Sequence, residues 1–434
     1  MHTKALVEAL PAPAAEDSLA DRVAALVEEH CTRWRDTRCD SPVLGPSIPR
    51  STQRGNARAA VELIDRLASD VERYPGKGQG RRIWQERLRC AVREFGEQRL
   101  GWPAGYRRLL VSDEFYTASV VFARRARKFD PTLRLEAVGQ ALRNVWIANS
   151  LQMLLDLPVE LSPSIFAYSM LYPYTDNYLD ARDVPARAKR RFNGRLSRRL
   201  RGERLAPEGA RERDIFRLVE MIEQDYPRAA FPDVHASLLA IQGGQVRSLH
   251  QQASREVLYT RDLLSISVEK GGSSVLADGY LVAGEPQRAE VDFFFGFGVL
   301  LQLLDDLQDV RADREAGHRT LFSTAADRVP LDSLTSQLFN YMSRILEPTR
   351  PFEAPAFADR LDLIRRNCTF LLVGAVAENE ELFSPPFRQE LVENWPFSLA
   401  AMRRLRRLAD KRFKKAGRRL RAQGHGEGWG ELLD

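Results

Sequence analysis

The chain has 434 residues, enough for one large domain or two ordinary ones with a sizeable core. Its hydrophobic content of 44% and charged content of 29% are typical of globular proteins, and no apolar run approaches the roughly 20 residues of a membrane-spanning helix. Much of the basic excess behind the net charge of +6 lies near the C-terminus. No nucleic-acid-binding motif accompanies it, so we expect no nucleic-acid partner.

Cysteine and histidine usage argues against structural zinc or disulfides. The four cysteines lack metal-site spacing, and the six histidines are scattered. The first residues contain no basic segment followed by an apolar core, so we see no secretory signal. A reduced, cytoplasmic protein is therefore expected.

Helical periodicity runs through most of the sequence. After a short helix at about 18–38 and a loop rich in proline and glycine, helices are predicted at 57–73, 81–98, 113–128, 133–156, 162–182, 187–201, 210–225, 233–262, 264–283, 287–314, 331–346, 357–378 and 386–415. No alternating run of β-branched residues indicates a sheet. We predict an all-α, single-domain bundle of ten or more helices. Residues 1–56 would form a peripheral N-terminal arm, 57–400 the helical domain and 401–434 a basic C-terminal tail.

The first acidic element is the sequence SMLYPYTDNYLDARD. Asp176, Asp180 and Asp183 lie at i, i+4 and i+7, on one face of a predicted helix. Pro173 should kink or start that segment. Taken alone, such a pattern is weak evidence for a metal site and usually belongs to a solvated helix surface.

A polar segment follows between residues 241 and 281. Gln245 and Arg247 place polar groups along a predicted long helix, and Lys270 precedes Gly271-Gly272, where the helix is expected to break or open. A lysine at such a position could reach a phosphate group.

The second acidic element follows an apolar run rich in leucine. Asp305, Asp309 and Asp313 share one face of a predicted helix over roughly 12 Å. Carboxylates stacked in this way repel each other, and a bound divalent cation resolves that conflict. If the two acidic helices face each other, their carboxylates can hold Mg²⁺ ions that grip a diphosphate.

These elements together resemble the class I isoprenoid synthases, the all-α family of trans-prenyltransferases and class I terpene cyclases. Residues 302–318, QLLDDLQDVRADREAGH, are similar to the second aspartate-rich motif FQxxDDxxDxxxD followed by GK, with His318 in place of the usual lysine. Gly244-Gln245, Tyr259 and Lys270 are similar to the family's GQ…Y…KT segment. The resemblance covers roughly residues 160–320.

The departures bear on the reaction. Asn177 stands where prenyl diphosphate synthases usually have an aspartate, and the paired arginines that normally follow are absent at the usual distance. Arg190-Arg191 comes later in the sequence. No GKxxRP motif is recognisable near the N-terminus; Gly76-Lys77 and Arg81-Arg82 resemble it only loosely and lie too far upstream. A weakened second-substrate site beside an intact metal site favours a terpene cyclase that acts on one prenyl diphosphate.

The resemblance implies a cluster of about three Mg²⁺ ions that binds the diphosphate of an allylic prenyl substrate. The expected metal ligands are Asp176, Asp180, Asp305, Asp309 and Asp313. The predicted catalytic residues are the first four of these together with Lys270. Lys270, Arg319 and Arg247 would bind the diphosphate. The predicted substrate pocket comprises Gln245, Gln302, Tyr172, Tyr174, Phe294 and Phe297, whose aromatic members could stabilise a carbocation or belong to the ordinary core.

Three alternatives remain open at this stage: a chain-elongating prenyl diphosphate synthase, a squalene-type coupling enzyme, and a non-catalytic subunit of a partner synthase. A homodimer is compatible with each. The C-terminal tail, in which Leu399, Met402, Leu405 and Leu408 alternate with arginines, could form an amphipathic helix on an anionic membrane surface or a solvated helix end.

Overall fold

Helices form the regular structure of the chain. The computed structural model describes residues 18–42, 44–75, 79–103, 113–181, 184–252, 259–347 and 357–422. Across these ranges it contains 17 α-helices and short 3₁₀ turns but no strand, which confirms the predicted all-α, single-domain bundle. The helices are α1 Leu19–Arg35, α2 Arg50–Glu72, α3 Gln79–Arg99, α4 Asp113–Phe129, α5 Leu135–Leu154, α6 Pro163–Asp180, α7 Ala186–Leu200, α8 Ala210–Asp225, α9 Pro232–Ser248, α10 Thr260–Ala283, α11 Arg288–Gln308, α12 Val310–Ala316, α13 Leu321–Ala325, α14 Asp332–Ile345, α15 Phe357–Glu378, α16 Pro385–Glu393 and α17 Leu399–Ala422. None of the described helices is both long enough and apolar enough to cross a membrane.

Helix α10 lies at the centre of the bundle, where it packs against α1, α5, α6, α9 and α11. A methyl group on Gly271 would lie 2.6 Å from the carbonyl oxygen of Gly298, and one on Gly272 would lie 2.4 Å from the ring of Phe295. Helix α10 spans Thr260–Ala283, so the helix predicted at 264–283 is confirmed and the break considered at Gly271-Gly272 does not occur. The helix is continuous there, and its glycines let the backbone of α11 approach closely.

Three predicted helices are shorter or divided. The helix predicted at 233–262 ends at Ser248 and is followed by a 3₁₀ turn, and the one predicted at 287–314 is interrupted at Asp309, the residue between α11 and α12. The helix predicted at 386–415 is two helices, Pro385–Glu393 and Leu399–Ala422, and the segment between them contains Pro396, which disfavours a helical conformation for the residue before it. The side chain of Ser398 then accepts a hydrogen bond from the Ala401 N–H as α17 begins.

Helix α1, from the segment predicted as an N-terminal arm, packs into the main core. Leu26 and Trp34 are buried there, and the backbone carbonyl of Trp34 accepts a hydrogen bond of 2.7 Å from the side chain of Gln337. His30 is buried as well, and its Nδ1 lies 2.7 Å from the hydroxyl of Tyr341 on α14. The start of the described chain thus helps to hold α14 in place.

Helix α17 contains all of the described part of the predicted C-terminal tail, residues 401–422, and packs along α2 and α15. Ala416 joins Val71, Tyr74 and Trp84 in a small second core. Arg412 forms an ion pair of 2.6 Å with Asp65 on α2. Leu399 and Met402, two of the side chains considered for membrane contact, are buried in the main core. The apolar face of this helix is therefore turned inward over its first turn and at Ala416.

Candidate functional site

Asp176 is held near the end of α6, a helix that starts at a Ser162 cap and a first-turn proline. The carboxylate is 5% exposed, and its Oδ2 accepts a hydrogen bond of 2.5 Å from Nε2 of Gln245 on α9. The hydroxyl of Thr175 lies 3.2 Å from the other oxygen, but its nearer acceptor is the carbonyl of Leu171 at 2.8 Å. Helix α6 runs unbroken through Pro173. Asp176 is therefore a buried acid that is held by a donor on α9.

The other acids of the first motif are less fully described. Asp180 is the last residue of α6, one turn beyond Asp176, and its side chain lies outside the described part of the structure. Asp183 also lies outside the described residues.

A short path of contacts leads from Asp176 to Lys270. The residue next to Gln245 on α9 is Gly244, and a methyl group on it would lie 3.1 Å from the Cα atom of Lys270. Helices α9 and α10 thus touch at Lys270, beside the amide that holds Asp176. The family-like GQ pair therefore has a geometric role, since glycine permits the contact and glutamine reaches the carboxylate.

On its other side, α10 meets the second acidic element through Asp306. This carboxylate is buried, and it accepts hydrogen bonds from the Ser267 hydroxyl at 2.7 Å and from Gln302 Nε2 at 2.8 Å. Burial raises the pKa of Asp306 to about 6, although both hydrogen bonds and the charge of Lys270 oppose the rise. Lys270 lies one turn after Ser267 on α10, so its cation is near this acid.

Asp306 was not among the predicted site residues. The prediction was based on Asp305, Asp309 and Asp313, which share one helix face. In the structure Asp305 and Asp309 are exposed, whereas Asp306 is buried. The sequence contains one indication of this contact: Gln302 and Asp306 are four residues apart, a spacing that places an amide and a carboxylate on the same face of a helix. An exposed position is compatible with metal binding, because a metal ion that also binds a substrate must be reachable from solvent.

Carboxylate crowding is strongest at Asp313. Burial and the neighbouring charges of Asp306, Asp309 and Asp305 raise its pKa to about 7, while Lys270 acts in the opposite direction. Burial and the charge of Asp305 also raise the pKa of Asp309. Added positive charge at this place would relieve the repulsion.

The acidic cluster consists of Asp305, Asp306, Asp309 and Asp313. The turn after α12 brings a histidine next to this cluster. Gly317 has a φ of 71°, a left-handed conformation that lets the chain reverse, and the His318 N–H then donates to the carbonyl of Asp313 at 2.8 Å. The ring Nδ1 of His318 lies 3.7 Å from the carboxylate of Asp313. This histidine, where the family resemblance would have lysine, is thus a neighbour of the most crowded acid.

The predicted arginines lie around the same region. Arg247 forms an ion pair with Glu269, the residue before Lys270. The backbone N–H of Arg319 donates to the carbonyl of Gln251 at 3.0 Å, which joins the turn after α12 to the turn after α9. Arg247 thus lies beside the residue that precedes Lys270, and Arg319 follows His318 in the turn after α12.

A cavity of about 70 Å³ adjoins Asp176 and Gln245. Its apolar walls come from α6, α7 and α9, and polar atoms interrupt them. The lining residues are Asn144, Tyr168, Leu171, Thr175, Asp176, Leu179, Asn193, Leu196, Leu200, Leu238, Ile241, Gln242, Gln245 and Ser274. A cavity of this volume has room for ordered water, because about 10–15 Å³ of such space is enough to hold one molecule. A larger apolar ligand would require the leucine side chains to move.

The predicted aromatic residues lie elsewhere, as far as their side chains are described. Phe294 packs where a methyl group on Gly279 would lie 2.1 Å from its ring, and Phe297 stacks on Phe293 in the core. The hydroxyl of Tyr174 donates to Asp130 at 2.7 Å. None of these three lines the cavity, and the side chain of Tyr172 lies outside the described residues. The aromatic residue at the cavity is Tyr168.

The acids whose side chains are described do not form a closed metal site. Within the described ranges, no three His, Cys, Asp or Glu side chains lie close enough together to hold a metal ion. Mg²⁺ is nevertheless commonly bound by one or two carboxylates together with substrate phosphates and waters, so a site of this kind needs no complete protein cage. The oxygen donors and the crowding at Asp313 fit such an ion.

Comparisons with known proteins add no family assignment: no protein-family model matches the chain, and no curated protein matches it.

Proposed function

We propose that the protein is a Mg²⁺-dependent class I isoprenoid enzyme that ionises an allylic prenyl diphosphate and releases pyrophosphate, as a terpene synthase does. The observation that carries the proposal is the contact path from Asp176 through Gln245 and Gly244 to Lys270. That path connects the first acidic helix, whose Asp176 lines a cavity with apolar walls, to Lys270 on α10, and Ser267 on the same helix contacts the second acidic segment at Asp306.

The roles of the residues follow from their positions. Lys270 provides an ammonium group for the phosphate oxygens, and Gln245 fixes the orientation of Asp176. Asp306, held by Ser267 and Gln302, fastens α11 to α10, so that Asp313 stays near the charge of Lys270. Mg²⁺, bound by Asp176, Asp180, Asp305, Asp309 and Asp313, would supply neutralisation of the negative charge on the departing pyrophosphate.

The substrate step is a heterolytic cleavage. The bond between the allylic carbon and the diphosphate oxygen breaks, and its electron pair leaves with pyrophosphate. The leucine walls of the cavity would receive the prenyl chain once they part, and burial of that apolar chain supplies binding energy. No protein nucleophile is required.

The first test compares substrates. The protein and Mg²⁺ are incubated with geranyl, farnesyl, geranylgeranyl and longer diphosphates, each with and without isopentenyl diphosphate. We expect pyrophosphate and a hydrocarbon or alcohol from the allylic substrate alone. Isopentenyl diphosphate does not ionise and needs fixed cations, whereas Arg191 is engaged in an ion pair with Glu208. Longer prenyl diphosphates that form only when isopentenyl diphosphate is added would establish the chain-elongating alternative instead.

The metal assignment is tested with Asp309→Asn. Loss of one carboxylate ligand should raise the Mg²⁺ concentration needed for half-maximal pyrophosphate release by at least the roughly 10- to 100-fold that loss of a residue supporting a metal ligand costs. Glu315→Gln is the matched control, because Glu315 is an exposed acid on α12 beyond the acidic cluster. Equal Mg²⁺ dependence in wild type and Asp309→Asn would contradict the assignment of this residue.

A further inference from the structure

The cavity beside Asp176 contains an acceptor that has no donor. Asn193 on α7 lines the cavity and is 8% exposed, yet its side-chain Oδ1 has no hydrogen-bond partner in the described part of the chain. A buried amide carbonyl in this condition is costly, and a bound group that carries an O–H or N–H would satisfy it. The unpartnered atom therefore indicates what occupies the cavity near Asn193.

A water molecule fits these surroundings. The cavity of about 70 Å³ has room for a water, and its lining includes further polar side chains from Gln242, Gln245 and Thr175. Buried waters typically make about three hydrogen bonds to polar groups of this kind.

The position of Asn193 relative to Asp176 is set by α9. Gln242 donates to the backbone carbonyl of Asn193 at 3.2 Å, and Gln245, three residues later, donates to Asp176. One helical turn thus separates the two contacts, a spacing of about 5 Å along the axis. A group held by Asn193 therefore lies near the acidic end of the cavity, where the diphosphate would be.

We propose that Asn193 holds a water that captures the allylic carbocation, so that the main product of the enzyme is an alcohol. This inference rests on the function proposed above. A water that donates to Asn193 Oδ1 keeps its oxygen lone pairs available for the cation. The oxygen forms the new carbon–oxygen bond, and the resulting oxonium releases a proton to an oxygen of the departing pyrophosphate. Asn193 orients the water and does not itself change.

The experiment uses the full chain, Mg²⁺, an allylic prenyl diphosphate that proves to be a substrate, and water enriched in ¹⁸O. Organic products and phosphates are analysed by mass spectrometry after subtraction of an enzyme-free blank. The label should appear in the alcohol, because the carbon–oxygen bond is the one that breaks. In Asn193→Leu the alcohol share of the product should fall about tenfold, the effect of losing one hydrogen bond to the water, while pyrophosphate release continues.

Asn149→Leu is the matched control. Asn149 on α5 is also fully buried with both amide atoms unpartnered in the described structure, but it does not line the cavity. The product distribution of the Asn149→Leu variant should equal that of wild type. Circular dichroism is used to check that each variant folds. If the leucine side chain prevents folding, Asn193→Ala is used in place of Asn193→Leu.

The outcomes separate the two proposals. Pyrophosphate release with an unlabelled hydrocarbon as the main product, or an unchanged alcohol share in Asn193→Leu, overturns the role of Asn193 and leaves the proposed function standing. Label in phosphate rather than in the alcohol shows phosphorus–oxygen cleavage, the reaction of a phosphatase, and overturns both. Absence of any cleavage of allylic diphosphates overturns the proposed function and the inference with it.

Discussion

At the residue scale, His30 shows how the environment of one side chain sets a pH dependence. The ring is buried between α1, α11 and α14, and burial lowers its pKa to about 3 from an ordinary value of 6.5. The folded protein therefore keeps this histidine neutral at pH values where the unfolded chain takes up a proton.

We expect His30 to weaken the fold as the pH falls. Between about pH 6.5 and pH 3 only the unfolded chain binds the proton, so each pH unit reduces the free energy of unfolding by about 1.4 kcal/mol. In His30→Gln this contribution disappears. The decrease in the free energy of unfolding between pH 7 and pH 5, measured by urea unfolding, should therefore be about 2 kcal/mol smaller in the variant than in wild type. Tyr341→Phe keeps the histidine and should keep the steeper decline. Equal slopes in wild type and His30→Gln would show that the folded and unfolded chains bind the His30 proton over the same pH range, so that burial does not lower its pKa.

Other buried acids act in the opposite direction. Asp278 on α10 is buried, accepts a hydrogen bond of 2.9 Å from Asn144, and has a pKa held well above its ordinary value by burial. Such a group favours folding most at low pH, and its contribution falls as the pH rises through the folded-state pKa. For this reason the effect of His30 is measured as the difference in unfolding free energy between wild type and His30→Gln at each pH.

At the scale of elements, the crossing of α10 and α11 is the contact on which the candidate site depends. It positions Ser267 and Lys270 against Asp306, and it is possible only because two glycine backbones meet at Gly271 and Gly298. The site and the helix crossing are therefore coupled. A disturbance of the crossing should move the acids relative to the lysine.

We expect Gly271→Ala to destabilise the protein. The added methyl group would lie 2.3 Å from Cβ of Gln302 and 2.6 Å from the carbonyl oxygen of Gly298, so the helices must separate. Overpacking of this kind costs about 1–3 kcal/mol, which denaturant unfolding can measure. Gly139→Ala on α5 is the control, because nothing lies within 4 Å of its added methyl group and alanine favours a helix. Equal stability of the two variants would mean that the crossing can relax without cost.

Local sequence patterns predicted the helices but not which side chains face each other. The period of leucines before Asp305 identifies a helix, yet two overlapping acidic faces are available, and contact with Ser267 decides that Asp306 is the buried one. In the same way, Gly271-Gly272 looks like a helix break until the opposing Gly298 is considered. Both decisions depend on a neighbouring helix, which single-sequence periodicity does not contain.

At the scale of the whole molecule, the two ends of the described chain are part of the folded structure. Trp34 and Tyr341 pack edge to face although they are far apart in sequence, and α17 closes a second core over α2 and α3. Composition and charge suggested a peripheral arm and a basic tail because these segments are locally polar. Their role depends on contacts hundreds of residues apart, which no local pattern could reveal.

The last prediction concerns α17. A chain that ends at residue 402 would expose Val71, Tyr74 and Trp84 and would lose the ion pairs of Arg412 with Asp65 and Arg419 with Glu72. Loss of buried apolar surface should outweigh loss of the exposed ion pairs, which contribute little. We therefore expect the shortened chain to unfold at a lower temperature in calorimetry, and to be cleaved by protease within α2 and α3.

A chain that ends at residue 422 is the control, because it keeps all of α17. It should unfold at the same temperature as the full chain and resist the protease equally, since the contacts with α2 are intact. High salt separates the two causes further: it screens the arginine ion pairs but strengthens or preserves apolar burial, so it should reduce the stability of the 422-residue chain only slightly. If the 402-residue chain were as stable as the 422-residue chain, the second core would contribute nothing, and α17 would be free to leave α2 for another surface such as an anionic membrane.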